Sequence, residues 1–189
     1  MIRTERLILR RWRDDDAEPF ARLNVDPAVR EHFQGPMSRE DSDAFIERIE
    51  AHWREHGWGN WAVEVPGIAP FIGYVGLWPA DYVANRPMVE VGWRLAREHW
   101  GHGYATEAAR EALRFGFEEV GLEEIVSFTV PQNERSWRVM ERIGLVRDPA
   151  GDFDHPHVDP VAYPQLVRHV FYRLAREDWR VPTNQVFPI

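Results

Sequence analysis

The chain has 189 residues, 44% of them apolar and 29% charged, which is enough for one sizeable core and predicts a single domain over residues 1–189. It has no cysteine, which excludes disulfides, thiolate nucleophiles and cysteine-based metal sites; all 23 basic residues are arginine, which excludes a catalytic lysine. The formal charge of −8 disfavours a nucleic-acid partner and leaves room for an amine-bearing one. With no apolar stretch near the ~18 residues of a membrane span and no signal-peptide core, we expect a cytoplasmic protein without membrane contact.

The first third of the chain predicts one strand and two helices. Leu7 to Arg11 reads as a short strand, and the acids Asp14 to Asp16 begin a helix whose positive end they suit. A second helix is predicted to start at Ser38, because Asp41 follows at the spacing of a capping box.

The middle of the chain predicts an antiparallel meander. Asn60 to Val65 and Phe71 to Trp78 read as two strands joined by the Pro66-Gly67 turn, and Met88 to Leu95 as a third. A strand at Glu124 to Val130 and a late strand at His169 to Leu174 are also predicted.

Two further helices are predicted in the second half. The first follows a glycine-containing loop, and the small residues along one side of it, at helical spacing, suit close packing on a sheet. The second runs from Asn133 to Ile143 and ends at Gly144. The fold class is therefore α+β in three layers: a mixed, mostly antiparallel sheet of about six or seven strands flanked by helices.

The loop before the alanine-rich helix is the strongest chemical signal. Gly101 and Gly103 permit positive φ and close approach of a ligand, and the helix start behind them offers unpartnered N–H groups to a diphosphate. A plain glycine turn is the bland alternative. A dinucleotide fingerprint is another, but Thr106 stands where its third glycine belongs, and a P-loop lacks its lysine.

The sequence here resembles the GNAT superfamily of acetyltransferases, most closely the ribosomal-protein N-terminal (Rim-type) branch. The resemblance rests on Glu90-Val91-Gly92-Trp93-Arg94-Leu95 and Trp100-Gly101-His102-Gly103-Tyr104-Ala105-Thr106-Glu107-Ala108. Thr4 to Arg10, Asn133 to Ser136 and Arg142 to Leu145 extend it over residues 4 to 147.

This resemblance implies an N-acetyltransferase that takes acetyl-CoA as co-substrate and moves its acetyl group directly, in a ternary complex, to a primary amine. The acceptor is a protein N-terminus or a small-molecule amine, and the protein a monomer or homodimer. The alternative is a non-catalytic module that binds acetyl-CoA as a sensor or scaffold.

The resemblance also assigns site residues. The main chain of Trp93, Arg94 and Leu95 would pair with the pantetheine arm and polarise the carbonyl, and Glu90 would take the amine proton. Glu90 is as readily a solvated strand carboxylate. The phosphate-binding loop comprises Trp100, Gly101, His102, Gly103, Tyr104, Ala105 and Thr106.

Asn133 would contact the cofactor, and Ser136 would protonate the departing thiolate. Without the resemblance, Asn133 reads as a helix N-cap and Ser136 as an ordinary first-turn residue.

Two features depart from the family pattern. Trp100 stands where glutamine or arginine is usual, which removes a side-chain contact and leaves main-chain binding intact. An insertion at about residues 148–168 is rich in histidine and proline. For His155, His157 and His169 we predict packing, with general-base use as the second option and no metal site. Residues 181–189 form a C-terminal tail whose sequence indicates no function.

Overall fold

A computed structural model describes residues 1–83 and 86–180 of the chain. The nine strands of this part are β1 (Ile2–Arg3), β2 (Ile8–Arg10), β3 (Asn60–Val65), β4 (Ala69–Pro79), β5 (Val89–Leu95), β6 (Glu124–Thr129), β7 (Val146–Arg147), β8 (Phe153–Asp154) and β9 (Arg168–Ala175). Its five α-helices are α1 (Ala17–Val25), α2 (Pro27–Arg30), α3 (Arg39–His56), α4 (Tyr104–Phe115) and α5 (Glu134–Arg142).

The strands form a mixed sheet in the order β1-β2-β3-β4-β5-β6-β9-β7, with β8 paired to β9. Every neighbouring pair is antiparallel except β5 and β6, which are parallel. The predicted meander is confirmed as β3, β4 and β5. The strands β1, β7 and β8 were not predicted, because two residues are too few to show an alternating pattern.

The predicted start of α3 is confirmed in detail. The Ser38 side chain accepts a hydrogen bond from the Asp41 N–H, and the Asp41 carboxylate accepts one from the Ser38 N–H. The helix ends at Gly57, whose φ of 75° is left-handed. The local signals that begin and end this helix lie within a few residues of each other in sequence, which is why they could be read without tertiary information.

The two faces of the sheet carry different helices and different cores. On one face, the alanines of α4 pack against β4 and β5, and the turn after α4 comes so close that a Cβ on Gly116 would lie 2.6 Å from Cδ1 of Ile125. On the other face, an aromatic cluster around Phe20 and Tyr74 packs beneath α1 and α3. Successive residues of β5 therefore point alternately towards α4 and towards α1 and α3.

The described part of the chain contains no helix long and apolar enough to cross a membrane. The predicted tail at 181–189 lies outside the described residues.

Candidate active site

The site begins where the two central strands part. Strand β5 pairs with β4 along its whole length to Leu95, but with β6 only at Glu90, opposite Val126. The Ser127 hydroxyl donates to the carbonyl of Val91 at 2.8 Å and closes the lower end of the opening. Beyond this point the edge of β5 that faces β6 has no strand partner among the described residues, so its main chain, apart from the Leu95 carbonyl that Trp100 bonds, is available to a ligand.

A cavity of about 1210 Å³ fills this opening. It is lined by both predicted catalytic residues and by all but one of the predicted cofactor-binding residues. These are Glu90, Trp93, Arg94, Leu95, Trp100, Gly101, Gly103, Tyr104, Ala105, Thr106, Asn133 and Ser136. Sequence positions more than 40 residues apart are thus brought to one cavity.

One half of the cavity, which we call the loop half, consists of Gly101 to Thr106 and the free edge of β5. Gly101 and Gly103 have φ values of 78° and 79°, as the glycine motif predicted. The main-chain N–H groups of Gly103, Tyr104, Ala105 and Thr106 donate to no other group of the described residues. The helix dipole adds partial positive charge at this point, so the loop half suits a phosphate group.

An arginine from the N-terminal segment is fixed beside this loop. The Arg6 guanidinium bonds the Glu107 carboxylate through Nε at 2.7 Å and the His102 carbonyl through Nη1 at 2.8 Å. The Thr4 hydroxyl donates to the same carboxylate at 2.6 Å. A Cβ added to Gly103 would lie 3.4 Å from Nη2 of Arg6. The Arg6 guanidinium, with its charge paired to Glu107, is therefore held beside the main-chain donors of the loop.

Trp100 and His102 have local packing roles. Trp100 is half-buried, and its Nε1 donates to the Leu95 carbonyl at 2.8 Å, which ties the loop back to the end of β5. Arg135 lies over its ring at 4.5 Å. His102, the predicted residue that is not among those lining the cavity, stacks its ring on Tyr104 at 5.4 Å.

Glu90 sits at the closed end of the opening, where β5 and β6 still pair. Its side chain is half-buried and lines the cavity, and desolvation raises the pKa of the carboxyl to about 7. Tyr82 is close enough that the charge of Glu90, in addition to burial, raises the pKa of the Tyr82 hydroxyl. A carboxyl group with a pKa near neutrality can exchange a proton with a bound amine.

Asn133 has the N-cap role that the bland interpretation assigned to it. Its Oδ1 accepts from the Ser136 N–H at 3.3 Å, and its Nδ2 donates to Oγ1 of Thr129 at 3.0 Å. The Ser136 hydroxyl donates to no group of the described residues and lines the cavity. Cofactor contact by Asn133 and proton donation by Ser136 remain predictions.

The other half of the cavity, which we call the aromatic half, is built from rings. These are Phe33, Tyr74, Tyr82, Phe128, His155 and His169. The rings of His155 and His169 lie 4.9 Å apart, and burial together with the neighbouring histidines lowers the pKa of His155 to about 4. His155 is therefore neutral at pH 7. No group of three or more metal-binding side chains with suitable placement occurs in residues 1–83 and 86–180.

The insertion forms one wall of the aromatic half. Gln34, in the segment between α2 and α3, donates through Nε2 to the His157 carbonyl at 2.8 Å and accepts through Oε1 from the Asp159 N–H at 2.9 Å. Both hydrogen bonds join segments more than 120 residues apart in sequence. No sequence pattern indicates this contact, since a glutamine in a loop carries no pairing signal.

Sequence reasoning missed the roles of two side chains in the site. Arg6 was noted only as part of a strand motif, although Glu107, its partner, lies within the glycine-loop motif. Arg94 was assigned through its main chain, while its side chain also reaches the aromatic half. A signal for the Arg94 side chain was present in the sequence. Glu90, Gly92 and Arg94 are spaced two residues apart in a predicted strand, which places all three on the same face.

Comparison with known proteins gives consistent matches. A family model described as an acetyltransferase (GNAT) domain matches residues 6–146. The FsC-acetyl coenzyme A-N(2)-transacetylase of Aspergillus fumigatus is 32% identical over 186 residues, covering 84% of this chain and 76% of that protein. The putative ribosomal N-acetyltransferase YdaF of Bacillus subtilis is 26% identical over 182 residues, covering 93% and 94%.

Solved structures also match the chain. The crystal structure of a GNAT-family acetyltransferase from Bacillus anthracis superimposes with a TM-score of 0.76 at 27% identity, covering 93% of this chain and 98% of that one. The predicted fold class, a mostly antiparallel mixed sheet flanked by helices, is thereby confirmed.

Proposed function

The chain belongs to the GNAT acetyltransferase family, and on that premise we propose that it transfers the acetyl group of acetyl-CoA directly to a primary amine, with both molecules bound at once. The observation that carries this proposal is the continuity of two main-chain surfaces. The free edge of β5 beyond Gly92 leads to the unpartnered N–H groups of Gly103 to Thr106.

These surfaces fit the parts of acetyl-CoA. A pantetheine arm carries amide groups that can pair with a strand edge, and the N–H groups at the start of α4 with Arg6 beside them suit its diphosphate. Gly101 and Gly103 leave room for that diphosphate, because glycine has no Cβ atom. We assign cofactor binding to Trp93, Arg94 and Leu95, to the loop from Trp100 to Thr106, and to Asn133.

Glu90 is the residue we assign as the base. Acetyl-CoA supplies a thioester whose carbonyl carbon is open to attack by a neutral amine nitrogen. An amine is mostly protonated at pH 7, so a group must take its proton before transfer. With a pKa of about 7, Glu90 is half deprotonated at neutral pH and can accept that proton directly or through water.

Ser136 is the residue we assign to the departing thiolate. Ser136 lines the cavity from the first turn of α5, and its hydroxyl donates to no other described group. The sulfur needs one proton as it leaves, and the Ser136 hydroxyl can donate it and regain one from solvent. The chain needs no covalent intermediate, because transfer depends on holding both reactants in line.

A coupled assay tests this function. The protein is incubated with acetyl-CoA and a panel of primary amines, including peptides with free N-termini, and free CoA thiol and acetylated amine are both measured. We expect both products to appear in equal amounts with at least one amine. If acetyl-CoA binds but no amine yields CoA, the enzyme assignment is wrong and a binding module remains; if acetyl-CoA does not bind, the whole proposal is wrong.

A further inference from the structure

A buried arginine in the aromatic half has unused hydrogen-bond donors. Arg94 is only 8% exposed, and its side chain donates through Nη1 to Oδ1 of Asn24 at 2.8 Å and to Sδ of Met37 at 3.5 Å. Its Nε is buried and has no partner, and its Nη2 donates to no group of the described residues. No carboxylate within residues 1–83 and 86–180 forms an ion pair with it.

A second cation lies next to it. Both Arg94 and Arg30 lie over the ring of Phe33, at 4.4 Å and 4.7 Å from its centre. Burial, with a further contribution from the charge of Arg94, lowers the pKa of Arg30 to about 10. Aromatic rings attract guanidinium groups, yet they accept few of their hydrogen bonds. Two guanidinium groups therefore lie at this edge of the cavity, and Arg94 keeps donors that have no acceptor among the described residues, although the chain as a whole carries −8.

Another buried arginine, Arg10, is paired with carboxylates, unlike Arg94. Arg10 is 3% exposed, and both of its Nη atoms bond the Asp16 carboxylate, at 2.7 Å and 2.8 Å, while its Nε bonds Glu64 at 3.0 Å. A buried guanidinium without a carboxylate is costly, because its charge loses water and gains no counter-ion. Arg10 shows how a purely structural arginine is neutralised in this fold, and Arg94 has no such carboxylate among the described residues.

The Arg94 side chain points away from the phosphate-binding loop. Its strand neighbour is Tyr74, and its side chain packs among Phe33, Phe45 and Tyr74, on the face covered by α1 and α3. The loop half continues into α4, which covers the opposite face. Arg94 and Glu90 share one face of β5, with Cα atoms roughly 13 Å apart at the rise of an extended strand.

We propose that Arg94, supported by Arg30, binds an anionic group, a carboxylate or a phosphate, carried by the amine acceptor. This deepens the proposed function, on which it rests: the acceptor places its amine at Glu90 and its anion at Arg94. A guanidinium presents two parallel donors that match either anion. Because the two residues are four positions apart on an extended strand, the amine and the anion of the acceptor are separated by several bonds.

Matched acceptor pairs test this inference. The pairs are 4-aminobutyrate with 4-aminobutanamide, 6-aminohexanoate with its amide, O-phosphoethanolamine with ethanolamine, and a peptide with an acidic second residue against the same peptide with the amide. We expect kcat/KM for the better anionic acceptors to exceed that of their neutral partners by about 10- to 100-fold, the range for a hydrogen bond to a charged group. Comparison of carboxylate, phosphate and peptide pairs then identifies the source of the anion.

Variants locate the effect. Arg94→Gln is expected to acetylate anionic and neutral acceptors with about the same kcat/KM. Arg94→Lys is expected to keep part of the preference for the anionic acceptors. The matched control is Arg48→Gln, since Arg48 lies over the Phe45 ring at 5.5 Å but is exposed and does not line the cavity. Calorimetric titration with acetyl-CoA shows whether Arg94→Gln is folded, and we expect its Kd to change less than about threefold, because the anion site is separate from the loop half.

A second readout does not depend on turnover. Glutarate and inorganic phosphate, titrated into the CoA-saturated protein, should bind at one site in the wild type and in Arg48→Gln, and not in Arg94→Gln. If the wild type acetylates the anionic acceptors and their amides at equal rates, the inference is overturned and the acetyltransferase assignment stays intact. The same holds if Arg94→Gln still binds the anions. Absence of CoA release with every amine, while these anions still bind, would instead overturn the proposed function.

Discussion

The two halves of the cavity are built from different parts of the chain. The loop half uses main-chain groups from one segment, the end of β5 and the start of α4. The aromatic half uses side chains from Phe33, Tyr74, Tyr82, Phe128, His155 and His169, which lie on distant segments. Binding by main chain requires only a backbone shape and so tolerates many side chains, whereas binding by side chains depends on the identity of each one. The first is suited to a constant ligand and the second to a variable one.

The largest expected effect comes from Glu90→Gln. We expect kcat/KM to fall by about 10² to 10⁴, the range for loss of a general base, with an acetyl-CoA Kd within about threefold of the wild type if the halves are independent. Wild-type kcat/KM should rise with pH and level off above about 7, because only deprotonated Glu90 accepts the proton. The variant should lack this ionisation. Steady-state rates between pH 5.5 and 8.5 and calorimetry provide the measurements.

Glu98→Gln is the control for this change, since Glu98 is an exposed residue in the turn after β5. A Glu90→Gln protein with wild-type rates and an unchanged pH profile would remove Glu90 from the mechanism.

Gly103→Val should affect the loop half instead. A β-branched residue at φ 79° costs on the order of 1–3 kcal/mol, and its Cβ would lie 3.4 Å from Nη2 of Arg6. We expect the Kd of acetyl-CoA to rise about 10- to 100-fold in calorimetry. Gly57→Val has the same kind of backbone strain at φ 75°, and its Cβ would have no described heavy atom within 4 Å; Gly57 is not among the residues that line the cavity.

If Gly57→Val weakens acetyl-CoA binding as much as Gly103→Val does, the effect is one of general stability and the loop has no special role.

Glu107→Gln tests whether side chains contribute to the loop half. The neutral amide of this variant would hold Arg6 less firmly, because Glu107 accepts hydrogen bonds from Thr4 and from both the main chain and the guanidinium of Arg6. We expect the Kd of acetyl-CoA to rise about 3- to 10-fold, the loss of one charge-assisted contact. Glu111→Gln, one turn further along α4 and paired to Arg114, should leave this Kd unchanged. An unchanged Kd in Glu107→Gln would mean that the placement of Arg6 does not contribute to cofactor binding.

The smallest expected effect comes from Gln34→Ala, which removes both hydrogen bonds to the insertion. We expect the KM of the amine to rise about 2- to 5-fold, because two exposed neutral hydrogen bonds contribute little, with the Kd of acetyl-CoA unchanged. Gln132→Ala serves as the comparison, since it removes one exposed hydrogen bond to Gln165 on the same insertion. A change confined to acetyl-CoA binding would contradict the division of the cavity.

The sequence predicted what local patterns encode. The capping box at Ser38, the N-cap at Asn133 and the positive φ of Gly101 and Gly103 each depend on a few neighbouring residues, and each is confirmed. The six longer strands were recognised by their apolar patterns.

Contacts between distant segments could not be predicted in the same way. The pairing of Arg6 with Glu107 joins residues 101 positions apart, and the Gln34 contact with Asp159 spans 125. Neither residue type identifies its partner, because many arginines and acids on the chain offer equally good pairs. The raised pKa of Glu90 likewise results from burial at the closed end of the strand opening, which depends on how β5 and β6 diverge.

Calorimetric titration of acetyl-CoA into the wild-type protein, Glu90→Gln and Gly103→Val tests the division of the cavity most directly. We predict one binding site in the wild type, nearly the same Kd in Glu90→Gln, and a Kd raised about 10- to 100-fold in Gly103→Val. No binding by the wild type, or weakening by Glu90→Gln as large as that by Gly103→Val, would contradict it.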